Sequence, residues 1–299
     1  MAERIVIGAG ATGAAAARRF AANGDRVRVI TRSGSGPEAA GIERIALDAT
    51  RTDELAAAMA GAATVVNASM TAYDTWPETM PPLYDSILAA TERVGADYVM
   101  LGNLYAYQET SGAVSERTPL EPHTRKGKVR AELWRQALAA HEAGRLRVTE
   151  IRAGQYLGRG AVSAFSLLVP AHVAAGELAL VLGNPDAAHS FTFTEDAAAA
   201  LVAAAGSGTA WGRAWNAPVL TVTLRQAADR LAELKGAPRP RLEALTERDL
   251  TLLGFSAPIW NEFREMAYMG DRPFVVDDGD FREAFGLKAS SLDEALAGM

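Results

Sequence analysis

The stretch Ile5-Val6-Ile7-Gly8-Ala9-Gly10-Ala11-Thr12-Gly13 decides the fold. A short β-branched run enters a turn with glycines at G-x-G-x-x-G spacing. An alanine-rich helical segment follows from Gly13 to about Ala22, and Asn23-Gly24 supplies the left-handed stop. In this strand, turn and helix setting each glycine has a steric reason. The first permits the tight turn, the second lets a pyrophosphate approach the backbone, and the third lets the helix pack on the strand with its N-terminal amides facing the phosphates. Gly8, Gly10, Ala11, Thr12 and Gly13 are therefore read as the phosphate cradle of a dinucleotide.

Working outward, Val27 to Ile30 reads as a second strand. The residue just past it selects the dinucleotide, because a carboxylate there would bind the ribose 2′-hydroxyl and repel a 2′-phosphate. The chain instead has Thr31-Arg32-Ser33. Arg32 offers a permanently charged fork and Ser33 a hydroxyl donor, which favours NADP (NADPH) over NAD, although a merely solvated arginine would look the same. Arg44 to Leu47 reads as the third strand, and Asp48 at its end would either bind the adenine amino group or cap the helix Thr52 to Ala60. Thr64 to Ala68 is the fourth strand, with Ala68 and Ser69 facing the cofactor. Ser69 to Pro82, with Trp76 and three prolines, is expected to be an irregular insertion belonging to a site. A helix over Leu83 to Val94, a strand over Tyr98 to Leu101, a long helix over Lys126 to Ala143 and a strand over Leu146 to Ile151 complete the alternation. Such alternation marks βαβ units and a parallel sheet. The expected fold class is α/β, a Rossmann-like doubly wound parallel sheet with a smaller C-terminal substrate lobe. Residues 1–155 form the NADP-binding part. Residues 156–299 form mainly the substrate-binding lobe, with segments near 190–225, including a helix near Asp196 to Ala205, returning to the core.

Composition narrows the function classes. The 299 residues are 49% hydrophobic and 22% charged, with a net charge of −6, so a basic surface for nucleic acid or anionic membrane is missing and a small-molecule substrate is the better partner. Zero cysteines exclude disulfides, a thiolate nucleophile and cysteine-ligated metal. His123, His141, His172 and His189 are scattered without metal-ligand spacing, so no metal is expected. Met1-Ala2-Glu3-Arg4 runs straight into the first strand without the pattern of a secretion signal, and a cytoplasmic protein is expected. The oligomeric state stays open, a homodimer included.

With these residues in place, the chain resembles an atypical member of the short-chain dehydrogenase/reductase superfamily, near its NAD(P)-dependent epimerase/dehydratase group, over nearly its whole length. Beyond the glycine turn, Asp48 matches that group's adenine-contacting aspartate. Leu101-Gly102-Asn103-Leu104-Tyr105-Ala106-Tyr107 is similar to its fifth-strand segment, and Glu116 with Pro119 to Pro122 resembles the loop after it. Ile151-Arg152-Ala153-Gly154-Gln155-Tyr156-Leu157-Gly158 is similar to the arginine-proline-glycine segment leading to the substrate lobe. Phe191 to Asp196 resembles its later helix opening and Trp215-Asn216-Ala217 its returning strand. The departures bear on catalysis. The resemblance implies a proton-donating tyrosine four residues before a ribose-binding lysine; here Lys128 is present but Thr124 stands at the tyrosine position. The serines that hold the substrate carbonyl are replaced by Gly102 and Asn103.

A tyrosine beside a lysine ammonium serves because its pKa can be brought toward working pH, and a threonine hydroxyl cannot follow it that far. Thr124 is left as a hydrogen-bond donor and Lys128 as a ribose ligand or a solvated charge in the basic run Arg125, Lys126, Lys128, Arg130. Substitute acids by position are Tyr105, Tyr107, Tyr73 and His123, each equally readable as packing or surface. Arg152 would anchor a substrate anion or form a structural salt bridge; Trp76, Trp260 and Tyr268 would line a pocket or the core. The first expectation is an NADP-dependent oxidoreductase, a reductase moving hydride to a small carbonyl, imine or activated alkene. The alternatives are an epimerase, isomerase or dehydratase that recycles its cofactor on a sugar-like substrate, and a non-catalytic NADP-binding regulator.

Overall fold

A computed structural model describes residues 1–107 and 112–299. In chain order the first half runs β1 (Glu3–Ile7), α1 (Ala11–Ala22), β2 (Arg26–Thr31), β3 (Ile42–Ala46), α2 (Thr52–Ala58), β4 (Thr64–Asn67), α3 (Trp76–Val94), β5 (Asp97–Gly102), α4 (Arg125–Glu142) and β6 (Val148–Arg152). Then come β7 (Tyr156–Leu157), α5 (Ala164–Leu168), α6 (Pro170–Ala175), β8 (Leu178–Val181), β9 (Ala188–Phe193), α7 (Thr194–Ala205), β10 (Arg213–Asn216), β11 (Leu220–Thr223), α8 (Leu224–Lys235), β12 (Arg241–Ala244), α9 (Glu247–Gly254) and α10 (Ile259–Met266).

Seven parallel strands form the central sheet in the order β10-β6-β5-β4-β1-β2-β3. Strands buried on both faces read as continuous apolar runs, and β4 and β6 are buried along their whole length. One face packs against Leu55, Trp76, Ile87 and Trp134 of α2, α3 and α4. The other packs against Ala16 and Phe20 of α1, Leu201 of α7, and Phe281. The strand order reverses between β1 and β4, and that switch point opens a crevice at the carboxyl ends of the strands. Register fixes which residues meet there. Ile7 lies opposite both Ile30 and Asn67, so Gly8, Thr31 and Ala68 leave the sheet along one edge. This is the Rossmann-like doubly wound sheet expected from the sequence, with a smaller C-terminal lobe. That lobe carries the sheets β11-β9-β7 and β12-β8 over a core of Phe165, Val181, Phe191 and Leu231.

One expectation fails. Ser69 to Pro82 is not irregular throughout: a short 3-10 turn at Tyr73–Thr75 leads directly into α3 from Trp76. Pro77 sits in the first turn, where its missing N–H costs nothing. Pro81 and Pro82 are tolerated although interior prolines cost about 3 kcal/mol. Trp76, Met80, Leu83, Tyr84 and Ile87 recur at helical spacing and are all buried, and that burial outweighs the lost bonds.

Candidate active site

The glycine turn has the geometry its spacing requires. Gly8 has φ +92°, and a side chain there would meet the backbone of Ala68 and Ser69 at 2.7 Å. A Cβ on Gly13 would overlap the carbonyl of Gly8, whereas one on Gly10 would meet nothing within 4 Å. The first and third glycines are thus forced by close packing, and the second leaves open the space that a diphosphate would use. Gly10 also caps α1 with no side chain in the way of the helix amides.

That turn forms one end of a cavity of about 480 Å³. Gly10, Ala11, Thr12, Gly13, Ala68 and Ser69 line it from the sheet edge, joined by Asn103, Tyr105 and Arg130. The segment Ala153 to Tyr156 closes the next side, and α10 covers the cavity with Ile259, Phe263 and Met266. Gln155 adopts φ +49°, the one non-glycine residue with positive φ among those described. Thr192 donates its N–H to the Gly154 carbonyl at 3.2 Å, and Gly154 donates to Thr192 Oγ1 at 3.3 Å, which ties this strained segment to β9. Strain held at a cavity wall is typical of a functional position.

The expected residues sort by which face of α4 they occupy. Thr124 is buried as the N-cap of α4, its Oγ1 accepting from Gly127 N at 3.1 Å, so its hydroxyl serves the helix end and does not line the cavity. Lys128 is exposed to solvent and is likewise absent from the wall. The pair spaced by four residues that turns inward is Lys126 and Arg130, each 1% exposed. Arg130 lines the cavity and stacks on the Trp76 ring at 4.7 Å. It donates from Nη1 to Tyr84 Oη at 3.1 Å, while its Nε is buried with no hydrogen-bond partner among the described residues. Lys126 Nζ is ion-paired with Glu262 and with Glu265, the latter at 2.8 Å, and sits 4.6 Å over the Tyr73 ring. Sequence reasoning missed both. The signal was the run Arg125, Lys126, Lys128, Arg130, in which Lys126 and Arg130 repeat the four-residue spacing of Thr124 and Lys128.

Of the substitute acids, Tyr105 and Tyr73 line the cavity. Tyr73 donates its hydroxyl to Tyr105 Oη at 3.0 Å. Burial pushes the Tyr105 phenol up, opposed by that hydrogen bond and by the charges of Arg130 and Lys126. Tyr107 is elsewhere. It is fully buried, accepts from Arg152 Nη1 at 2.6 Å and donates to Asn216 Oδ1 at 3.4 Å, in a network beneath the cavity floor. His123 is exposed with its ring 4.7 Å from that of Tyr268, away from the cavity. Arg152 forms the structural salt bridge of its two alternatives, at 2.7 Å from Glu150, both groups 3% exposed. Glu150 explains Gly102, because any side chain there would overlap its carboxylate. Asn103 lines the cavity, its Oδ1 accepting from Tyr105 N at 3.1 Å and so fixing the turn that presents Tyr105. Trp76 lines the cavity; Trp260 packs on Phe263 behind the wall, and Tyr268 donates to the Tyr107 carbonyl at 3.2 Å.

At the outer end, Arg32 and Ser33 are exposed past β2, beside Asp48 past β3. Thr31 Oγ1 donates to the Ser35 carbonyl at 2.8 Å and Ser33 Oγ to Ser35 Oγ at 3.0 Å, which shapes that loop. Asp48 caps no helix. Its Oδ1 accepts from the backbone and hydroxyl of Thr50, bonds that hold its carboxyl below the usual range with the charges of Arg32 and Arg51 adding to them. Among the described residues no group of three or more histidines or acids is arranged to hold a metal, and no helix is long and apolar enough to cross a membrane.

A parallel sheet with a glycine-turn cavity under a second lobe defines an α/β protein of the Rossmann type. The chain belongs to the NAD dependent epimerase/dehydratase family, whose model matches residues 5–217. No curated protein matches it in sequence. Among solved structures it is similar to MoeE5 in complex with UDP-glucuronic acid and NAD, at 20% identity and a TM-score of 0.79, with 99% of this chain and 97% of that one covered. It is also similar to UDP-glucuronic acid 4-epimerase from Bacillus cereus, at 16% identity and a TM-score of 0.80, with the same coverage. A third is DesIV, a dTDP-glucose 4,6-dehydratase from Streptomyces venezuelae, at 18% identity and a TM-score of 0.77, covering 99% of this chain and 94% of that one. At these identities the likeness establishes the fold.

Proposed function

We propose that this chain is a nicotinamide-dinucleotide-dependent enzyme acting on a small organic substrate held between the glycine turn and the C-terminal lobe. The observation that carries the proposal is that one continuous cavity joins the turn to Tyr105. The open space at Gly10 and the unpartnered Nε of Arg130 fit a bound dinucleotide, and Arg130, rather than Lys128, takes the place of the ribose-binding cation. When bound, the nicotinamide ring supplies hydride exchange with a substrate carbon. Tyr105 holds the proton. Its raised pKa keeps the phenol protonated at neutral pH, ready to donate to a developing alkoxide. Tyr73, Arg130 and Lys126 then stabilise the phenolate so that it can take the proton back. Asn103 positions Tyr105.

A reversible donor suits a cycle in which the cofactor is retained and restored. The family and the neighbouring epimerases and dehydratase support that reading, the epimerase, isomerase or dehydratase alternative, better than the net reductase first expected. Net reduction with NADPH is favoured by one observation, the exposed Arg32, which has no ion pair among the described residues and no acidic residue in the loop position that would select NAD. The neighbours named above with a nicotinamide cofactor carry NAD, so NADP preference is a proposal from Arg32 alone.

Calorimetric titration with NADP⁺ and NAD⁺ tests binding. Heat is expected with both and tighter binding with NADP⁺, and Arg32→Ser should remove about tenfold of that preference, the worth of one charge-assisted phosphate contact. No heat with either coenzyme would overturn the whole proposal. Absorbance of reduced nicotinamide then separates the two cycles: turnover without net change marks the recycling enzyme, and net oxidation marks the reductase.

A further inference from the structure

The two ends of the cavity differ in chemistry. The end at the glycine turn carries Ser69, Asn103, Tyr105 and Arg130. The far wall is made by Phe165 of α5, Val181 of β8 with Leu182 just after it, Phe191 of β9, and Phe263 and Met266 of α10. Its rings are packed against one another, Phe165 to Phe191 at 6.3 Å, and Phe263 continues the wall to Tyr73 at 6.0 Å. His189, which also lines the cavity, is held neutral because burial pushes its imidazole down; its Nε2 donates to the Arg272 carbonyl at 3.0 Å and its Nδ1 is buried with no hydrogen-bond partner among the described residues. Arg130 is the one charged side chain among the described lining residues, and it stands at the turn end against Trp76 and Tyr84.

From this asymmetry we propose that the substrate is a compact, uncharged, mostly hydrophobic molecule with a single oxygen function, a ketone or secondary alcohol, and not a nucleotide-linked sugar. The assignment rests on the dinucleotide-dependent reading above and, because a molecule with a single oxygen function suits net hydride transfer, it selects the reductase cycle of that reading over the recycling one. A diphosphate placed against the far wall would exchange water for aromatic and aliphatic carbon, and burying unpaired charge is among the most unfavourable transfers in protein chemistry. A hydrocarbon body placed there gains from leaving water instead. Gln155, Ser163, His189 and Thr194 also line the cavity, and the oxygen of such a molecule is assigned to Tyr105 and Asn103 because that polar region adjoins the glycine turn. A cavity of about 480 Å³ that also admits the nicotinamide end of a cofactor keeps the hydrocarbon body short. Met266, unbranched and polarizable, lets that wall adapt to shape rather than recognise a fixed pattern of hydroxyls.

The test is calorimetric titration of the full chain saturated with NADP⁺, so that no hydride passes, using straight-chain methyl ketones from butanone to octanone and, separately, UDP-glucose. Affinity should rise about fourfold with each added methylene until the chain fills the far wall, and UDP-glucose should give no heat beyond that of dilution. Phe263→Ser should flatten the chain-length series while leaving the heat of NADP⁺ binding unchanged, which also shows that the variant is folded. A flat ketone series in the wild type, or binding of UDP-glucose, would overturn the assignment and leave the dinucleotide reading standing. Should NADP⁺ give no heat the series is run with NAD⁺, and absence of heat with both coenzymes would overturn the dinucleotide reading itself, and the assignment with it.

Discussion

Two buried arginines in this molecule look alike in exposure and differ in company. Arg152 lies beneath the cavity floor with its Nε on Glu150 at 2.7 Å and its Nη1 on the Tyr107 hydroxyl at 2.6 Å. Arg130 is on the cavity wall with neutral partners, Tyr84 and the Leu101 carbonyl, and its Nε has none among the described residues. Burial pushes the Glu150 carboxyl up and Arg152 pulls it back, whereas the Arg152 guanidinium is held charged against burial by Glu150 and Tyr107. A fully partnered buried ion pair is structural cement whose loss is felt by the fold. A buried cation with donors to spare has hydrogen-bonding capacity left for a water or a ligand.

The comparison is broken most severely at Arg152. Arg152→Met leaves Glu150 buried without its cation and should lower unfolding free energy by about 3–5 kcal/mol in chemical denaturation; a loss under about 1 kcal/mol would mean the pair is not structural. Next is Tyr105→Phe, which should slow single-turnover hydride transfer about a hundredfold, the usual worth of a positioned acid, with coenzyme affinity unchanged. The wild-type rate should also stay flat from neutral pH to about 10, because a raised phenol keeps its proton beyond the point where an ordinary tyrosine loses it. A rate that falls with an apparent pKa near 8 would show another group at work.

Arg130→Met is the counterpart of the arginine experiment and should behave oppositely. Removing a buried cation that lacks a carboxylate partner within ion-pair distance should leave stability unchanged or raise it, while coenzyme affinity falls about tenfold by calorimetry. Thr124→Ala should cost about 1 kcal/mol of stability through loss of the helix cap, with hydride transfer per folded molecule unaffected. Smallest of all, Lys128→Ala should stay within about 0.5 kcal/mol of wild type in stability and change neither binding nor rate, as suits an exposed side chain on the outer face of α4.

The legibility of the molecule follows the range of the interactions that make each part. The glycine turn was readable because its requirements are local: Gly13 is excluded from bearing a side chain by Gly8, five residues away. The alternation of strands and helices was readable because strands buried on both faces must be apolar throughout. Less was readable around Pro77, Pro81 and Pro82, where the burial of Trp76 and Met80 against distant strands overrides a local helix-breaking signal. Gly102 looked like a lost serine, and only the position of Glu150 on the neighbouring strand shows why the space is closed.

The amino-acid sequence by itself determined the Rossmann sheet, the site of the phosphate cradle and the inventory of tyrosines and cations from which a donor must come, since turn sterics and strand burial are written in adjacent residues. The tertiary structure decided which of that inventory faces the cavity. Two positions along a helix rotate a side chain by about 200°, so the same four-residue spacing fits Thr124 with Lys128 and Lys126 with Arg130. Only the docking of α4 between the sheet and α10 turns the second pair inward. The apolar far wall is likewise assembled from α5, β8, β9 and α10, segments that sequence separates and folding brings together.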